Sequence, residues 1–368
     1  VSWRTAALRP FRRHPTLAVL GGYVLIALAA SVHVAFGDRT IGPEQVLDQD
    51  PFYGLGTPPR RPYNDPTPIV IDYPRDLVIA RSLHTFPPFA WNPWSGTGVP
   101  LIAEQGGAFF PLRLAFYVAP GPGTYTFFRL SRLVLAALGA YALCRARGRS
   151  RWAAFVGGGL YELSGTLIWM VPFAATSAAF VVPWLLYGVN LLYTERRLRA
   201  LAVTGASVGL VLLGGHPGVT AAALFAGIAG FAGASAERWW RPRPRARPIL
   251  TAAGLAAAAA ALGASLAACG VLPFLELLAE GQSYKTTVGS EVWQSSAEFS
   301  RAALWPAAFA PILLDSLRDS YPFYPLTLNA MFGLGTLILA LAAAWRPRAD
   351  LTMWSLFVLG VVLCFAPP

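Results

Sequence analysis

Charge is scarce in this chain. Asp, Glu, Lys and Arg make up 13% of its 368 residues, about half the share usual in a soluble globular domain. Hydrophobic residues make up 55%, and mean hydropathy is +0.50. That balance excludes an ordinary soluble protein and points to an integral membrane protein. Cysteine is nearly missing as well. Cys144, Cys269 and Cys364 lie in or beside apolar segments with no metal-ligand spacing, which argues against a disulfide framework and reads as small core residues. Of 29 basic residues only Lys285 is lysine. The arginines sit in short clusters between apolar runs, so membrane topology accounts for the net charge of +11 better than nucleic acid does. No phosphate-loop or dinucleotide glycine motif occurs in strand-to-helix context.

What is present is a series of apolar runs. Arg4, Arg9, Arg12 and Arg13 precede the run Leu17 to Phe36, which has the length of a bilayer core. It is longer than a signal-peptide h-region and lacks a clear small-residue cleavage motif, so it reads as a first transmembrane helix. Further helices are expected at about 123 to 145, 152 to 171, 173 to 193, 200 to 214, 217 to 235, 249 to 272, 326 to 345 and 351 to 366. The expected fold is thus an all-α polytopic bundle of about nine transmembrane helices.

The connectors set the orientation. Arg145, Arg147, Arg149 and Arg151 form one cluster; Arg196, Arg197 and Arg199 a second; Arg238, Arg241, Arg243, Arg245 and Arg247 a third; Arg346 and Arg348 a fourth. All fall on the side of the N-terminus, which the positive-inside rule makes cytoplasmic. Of 18 acids only Glu195, Glu237 and Asp350 share that side. The expected location is a cytoplasmic (inner) membrane, with two long extracytoplasmic loops at about 37 to 122 and 281 to 325. The Trp239 to Pro248 run, rich in Arg and Pro, reads as a loop against anionic lipid headgroups. The Ala-rich run 252 to 268 and Gly157-Gly158-Gly159 permit close helix packing.

The first outer loop holds the densest chemistry. Residues 42 to 68 are Pro-rich and polar, an irregular excursion. From Pro74 the pattern Leu77, Val78, Ala80 and Leu83 against Asp76, Arg81 and His84 predicts a short amphipathic helix along the membrane surface. His84 has no second His or Cys at ligand spacing and reads as solvated. Phe109 to Val118 predicts a second surface helix, with Trp91, Trp94, Phe109, Phe110 and Tyr117 as an interfacial aromatic belt.

Several short motifs occur in order: Trp91-Asn92-Pro93, Gly96-Thr97-Gly98-Val99-Pro100, and Ala103-Glu104-Gln105-Gly106-Gly107-Ala108-Phe109-Phe110-Pro111. Leu163-Ser164-Gly165, Pro183-Trp184, Gly214-Gly215-His216-Pro217, Pro273, Glu276 and Ser283-Tyr284-Lys285 follow. Together they resemble the bacterial YfhO-type membrane proteins, over about residues 70 to 285. That family is similar to GT-C glycosyltransferases, so the resemblance implies a GT-C-like bundle with an essential acid in its first outer loop. It also implies sugar transfer from a polyprenyl-phosphate-linked donor to an extracytoplasmic glycan, lipid or cell-wall polymer. The family usually has more helices and a longer C-terminal part, so this chain reads as a fragment or a short relative.

Inverting glycosyl transfer needs a carboxylate to take the acceptor proton while phosphate leaves the opposite face of the sugar. Asp72 is the first choice for that base, and helix capping near Pro74 is its structural alternative. Asp76, one turn on, orients the acceptor or shares a metal. Asp72, Asp76 and Glu104 are the ligands available to a divalent cation such as Mg2+ or Mn2+. Glu104 and Gln105, in a Gly-rich turn, are substrate-binding candidates, with a solvated loop as the alternative. His216 offers a donor to phosphate or sugar, or packs in a turn; Lys285 suits a leaving phosphate, or is solvated.

Inside the bilayer, Arg129 and Arg132 in the second helix and Glu162 in the third need partners. Arg132 and Glu162 are expected to form a structural ion pair, and Arg129 to reach a lipid phosphate. A transporter or flippase of a lipid-linked substrate, using these three residues as its pathway, is the main rival. Against it, the sequence shows no internal repeat of the kind transporters carry. A catalytically silent scaffold is the third reading.

Overall fold

The computed structural model describes residues 15–31, 68–83, 91–93, 98, 100, 101, 103, 107–194, 196–240, 246–280 and 352. The expected helices at 326 to 345 and 351 to 366, the loop 281 to 325, and Glu104, Gln105, His84 and Lys285 therefore lie outside the described residues.

The described residues are all-helical. In chain order they form α1 (Pro15–Ala30), a π-helical turn (Pro68–Asp72), α2 (Tyr73–Ser82), a 3-10 turn (Pro111–Arg113), α3 (Leu114–Val118), α4 (Pro122–Ala146) and α5 (Arg151–Glu162). Then follow α6 (Gly165–Met170), α7 (Ser177–Leu191), α8 (Arg197–Leu212), α9 (Pro217–Trp239) and α10 (Ala246–Glu280). Three of these, α4, α9 and α10, are long and apolar enough to cross a membrane; α1 and α7 are shorter apolar helices. Such helices are compatible with a multi-pass membrane protein.

Helix ends follow local chemistry. Pro122 and Pro217 sit in the first turns of α4 and α9, where a missing N–H leaves no bond unmade. The Ser150 side chain accepts from Ala153 N at 3.2 Å and caps α5. The expected helix 152 to 171 is instead broken. It stops at Glu162 and restarts at Gly165, with Ser164 extended at ψ 138°. Ser prefers a cap to a helix interior, and Gly weakens a helix.

Packing is closest where side chains are smallest. A Cβ on Gly263 would lie 2.7 Å from the Gly205 carbonyl oxygen, and one on Gly209 would lie 3.2 Å from that of Gly263. The Ala-rich run thus lets α10 approach α8 backbone to backbone, as expected for small residues. Its other faces stay open, with Leu250, Leu266, Leu272, Leu275 and Leu278 all exposed. Apolar exposure of this extent suits lipid rather than water. In the same way Gly158 receives Tyr23 of α1, whose hydroxyl donates to the Phe155 carbonyl at 3.0 Å. Cys269 is exposed and Cys144 half-buried, and both are free. Cys269 is therefore not the buried core residue that its apolar surroundings suggested, because the apolar face of α10 is open, and Cys144 on α4 is only partly buried.

One core cluster unites the loop elements with the bundle. Ile79 and Ala80 of α2, Phe110, Phe116 and Tyr117 pack with Tyr125, Phe128, Ala178, Val181 and Val211. Phe110 and Tyr117 are therefore buried core residues and not part of an aromatic belt; Trp91 is exposed. The helix expected on the membrane surface is in fact clamped against protein, with Arg75, Asp76, Ile79 and Ala80 all buried.

Candidate functional site

The loop elements α2 and α3 bring two carboxylates under the bundle end formed by α4, the α6–α7 connection and the α8–α9 turn. Asp72 is buried. Its Oδ1 meets the Arg75 guanidinium at 2.7 Å, and its Oδ2 accepts from Ala174 N at 2.9 Å. Asp72 occupies the N-cap position of α2 without making a capping bond. Its side chain instead ties α2 to the loop before α7, 102 residues away. Each oxygen thus has a donor, and the carboxylate acts as a tie between the two segments.

Asp76 is differently placed. It is 0% exposed, one turn further on, with Oδ2 at 3.4 Å from Arg113 and Oδ1 accepting from the Tyr117 hydroxyl at 3.5 Å. These are long contacts. Burial raises the Asp76 carboxyl above its ordinary range, only partly opposed by Arg113 and Arg75. Burial lowers Arg113, but the neighbouring Asp76 carboxylate and the Tyr117 hydroxyl outweigh it and raise the net value. Arg113 therefore stays charged. The Tyr117 phenol is raised too, first by burial and then by Asp76, so it remains a donor.

Two further arginines come from α4. Arg132 is fully buried and donates to the Phe173 carbonyl at 2.8 Å, to Ser177 Oγ at 3.2 Å and to the Val171 carbonyl. The expected Arg132–Glu162 pair does not form. Arg132 satisfies the carbonyls left open where α6 ends, while both Glu162 oxygens are buried without a hydrogen-bond partner among the described residues. Arg129 is 1% exposed; its guanidinium lies 4.1 Å from the Tyr125 ring centroid, and its Nε has no hydrogen-bond partner. Arg75 and Arg113 pair with the two carboxylates, Arg129 lies against Tyr125 and Arg132 turns to backbone carbonyls; with Glu162 counted, four buried arginines stand against three buried carboxylates among the described residues.

The glycine motifs close this end. Gly107 (φ 62°) and Gly215 (φ 103°) both take left-handed backbone, which favours glycine. A Cβ on Gly107 would lie 2.8 Å from the Leu213 carbonyl oxygen, and one on Gly215 would lie 2.9 Å from Gly107 N. His216 N donates to the Ala175 carbonyl at 2.7 Å, and its Nδ1 accepts from Gly218 N at 3.1 Å, capping α9. His216 is thus a cap and a tie, with Nε2 as the nitrogen left to carry a proton.

Among the candidates, then, Asp72, Asp76 and Arg129 gather at one end of the bundle, and His216 sits in the turn packed on Gly107. Arg75, Arg113 and Tyr125 were not singled out from the sequence, and Tyr117 only as a member of an aromatic belt. A signal existed for two of them. Arg75 stands three residues after Asp72, a helix-pairing distance, and Arg113 is a lone charge in an apolar stretch. A divalent cation does not fit the described groups, because each carboxylate already faces an arginine. No cluster of three metal-ligating side chains occurs among the described residues.

At the other end, Arg147 meets Glu237 at 2.9 Å, and Glu237 accepts from Thr352 N at 2.8 Å. These are segments that the charge pattern assigned to one side, and they do meet in space. A scan of protein-family models and searches of curated proteins and of solved structures found no match to this chain.

Proposed function

We propose that this chain is a glycosyltransferase that moves a sugar from a polyprenyl-phosphate-linked donor to an extracytoplasmic acceptor. One observation carries the reading. Two carboxylates lie buried in the end of a membrane bundle beside buried arginines, one of which, Arg129, is 1% exposed with its Nε lacking a hydrogen-bond partner among the described residues. The sequence motifs that resemble YfhO-type proteins supply the glycine turns around it. In this scheme Asp76 takes the proton of the acceptor hydroxyl, and the acceptor oxygen bonds to the anomeric carbon. The bond from that carbon to the phosphate oxygen breaks on the opposite face. Arg129 stabilises the leaving phosphate. Asp76 replaces Asp72 as the favoured base, because a raised carboxyl pKa suits proton transfer. Asp72 and Arg75 position α2.

The test is transfer by purified protein from a panel of polyprenyl-phosphate sugars. Asp76→Asn is expected to retain donor binding and lose turnover. Turnover surviving in that variant sinks the assignment.

A second reading has its own observation. The expected third helix is broken at Leu163–Ser164, with the unpartnered, buried Glu162 at the break, and broken helices with buried ionisable groups are common in transporters. Proteoliposome flux of a lipid-linked substrate that Glu162→Gln abolishes would favour it over transfer chemistry.

A further inference from the structure

The end of the bundle opposite the carboxylates holds a cavity of about 830 Å3 between α1, α4 and α7. Its lining divides by chemistry. Leu138, Ala142 and Trp184 supply apolar surface, whereas Arg145, Arg196 and Arg199 supply three cations. All three arginines are exposed, and among the described residues that line the space there is no Asp or Glu.

The apolar surface is preformed. Trp184 Nε1 donates to the Leu135 carbonyl at 2.7 Å, and a Cβ on Gly139 would come within 2.6 Å of the indole. Glycine at 139 is therefore what seats the ring. Arg199 is aimed in turn by Tyr187, whose hydroxyl accepts from Nη2 at 2.6 Å. A cavity that combines apolar surface with cations, set between apolar helices, matches one ligand shape: a monoanionic head on an apolar tail.

We propose that this cavity binds an anionic phospholipid, with the headgroup phosphate on Arg145, Arg196 and Arg199 and the start of an acyl chain against Leu138, Ala142 and Trp184. The charge pattern places these arginines on the cytoplasmic side, where anionic lipid is available and basic pockets between helices recognise it. Charge complementarity commits the occupant. A neutral lipid would leave three cations facing its head unpaired, and a free phosphate would leave the apolar wall uncovered. The assignment is independent of the chemistry proposed at the other end.

The experiment is native mass spectrometry of the full chain released from bilayer discs of phosphatidylcholine containing phosphatidylglycerol, with inorganic phosphate as a competitor in a parallel arm. Native protein is expected to retain phosphatidylglycerol over phosphatidylcholine and to keep it in excess phosphate. The triple variant Arg145→Gln, Arg196→Gln, Arg199→Gln is expected to lose about fivefold in retention per arginine, roughly a hundredfold in all. Ala142→Phe keeps every charge and fills the apolar wall. It is expected to lose retention as well, which general surface attraction does not predict, and it keeps the test intact if the triple variant fails to fold. Equal retention of the two lipids, or retention unchanged in Ala142→Phe, overturns the proposal. Displacement by phosphate overturns the lipid and assigns a soluble phosphate instead.

Discussion

The two ends of the bundle use the same residue type in opposite ways. At one end Arg113, Arg129 and Arg132 are almost wholly buried; at the other Arg145, Arg196 and Arg199 are exposed around an open cavity. A buried guanidinium must be matched by carboxylates, carbonyls or aromatic rings, so its neighbours are specified to within a few tenths of an ångström. An exposed one keeps its hydration and can wait for a ligand. The proposed chemistry rests on the first arrangement and the proposed lipid site on the second.

The sharpest test of that contrast is at Asp76. Asp76→Asn is expected to lower sugar transfer by about a hundredfold to ten-thousandfold, the usual weight of a general base, whereas Glu237→Gln at the other end should leave the rate unchanged. Comparable losses in both would erase the distinction. Next in size is stability. Arg113→Ala leaves Asp76 without its nearest cation in a buried setting and should destabilise the fold by about 3–5 kcal/mol, read as unfolding in detergent. The double variant with Asp76→Asn should recover part of that loss.

The pH dependence carries a paired signature. The Asp76 carboxyl is raised above its ordinary value of 3.8. Between that value and the raised one the folded chain holds a proton that the unfolded chain has released, so stability falls as pH rises through this window. Activity moves the other way, because the base works only once deprotonated. Asp76→Asn should flatten the stability slope; a slope unchanged in that variant assigns it to another group.

Smaller effects come from packing and from the exposed end. Gly214→Ala would set a Cβ 2.5 Å from Ala178 N, and overpacking of this kind costs about 1–3 kcal/mol. Arg147→Gln removes a half-buried pair with Glu237 and should cost about 1 kcal/mol or less. Thermal midpoints of the two variants in one detergent would rank them, and the reverse order would argue against rigid packing of the glycine turns.

Much of the fold was legible in the residues themselves. The apolar runs bounded by arginine clusters predicted α4, α7, α8 and α9 to within a few residues, because hydrophobic length and charge are local properties of the chain. Pro74 and the pattern after it predicted α2. The break after Glu162 was less legible: an apolar run reads as one helix, and the capping preference of Ser164 competes only weakly against it. The site was legible in part. Asp72, Asp76 and Arg129 were picked out as candidates, and Gly107 and Gly215 stood only as members of longer motifs. Their roles were another matter.

By itself the sequence determined where most of the described helices run, since that depends on periodicity and hydropathy over a few residues. Only the tertiary structure decided that Asp72 bonds Ala174 N, that Arg132 meets the carbonyls at the end of α6 and leaves Glu162 alone, and that Arg113 faces Asp76. Those choices depend on which loops fold over which helix ends. A buried charge takes whatever partner the packed chain brings within a few ångströms, and sequence separation has no bearing on that distance.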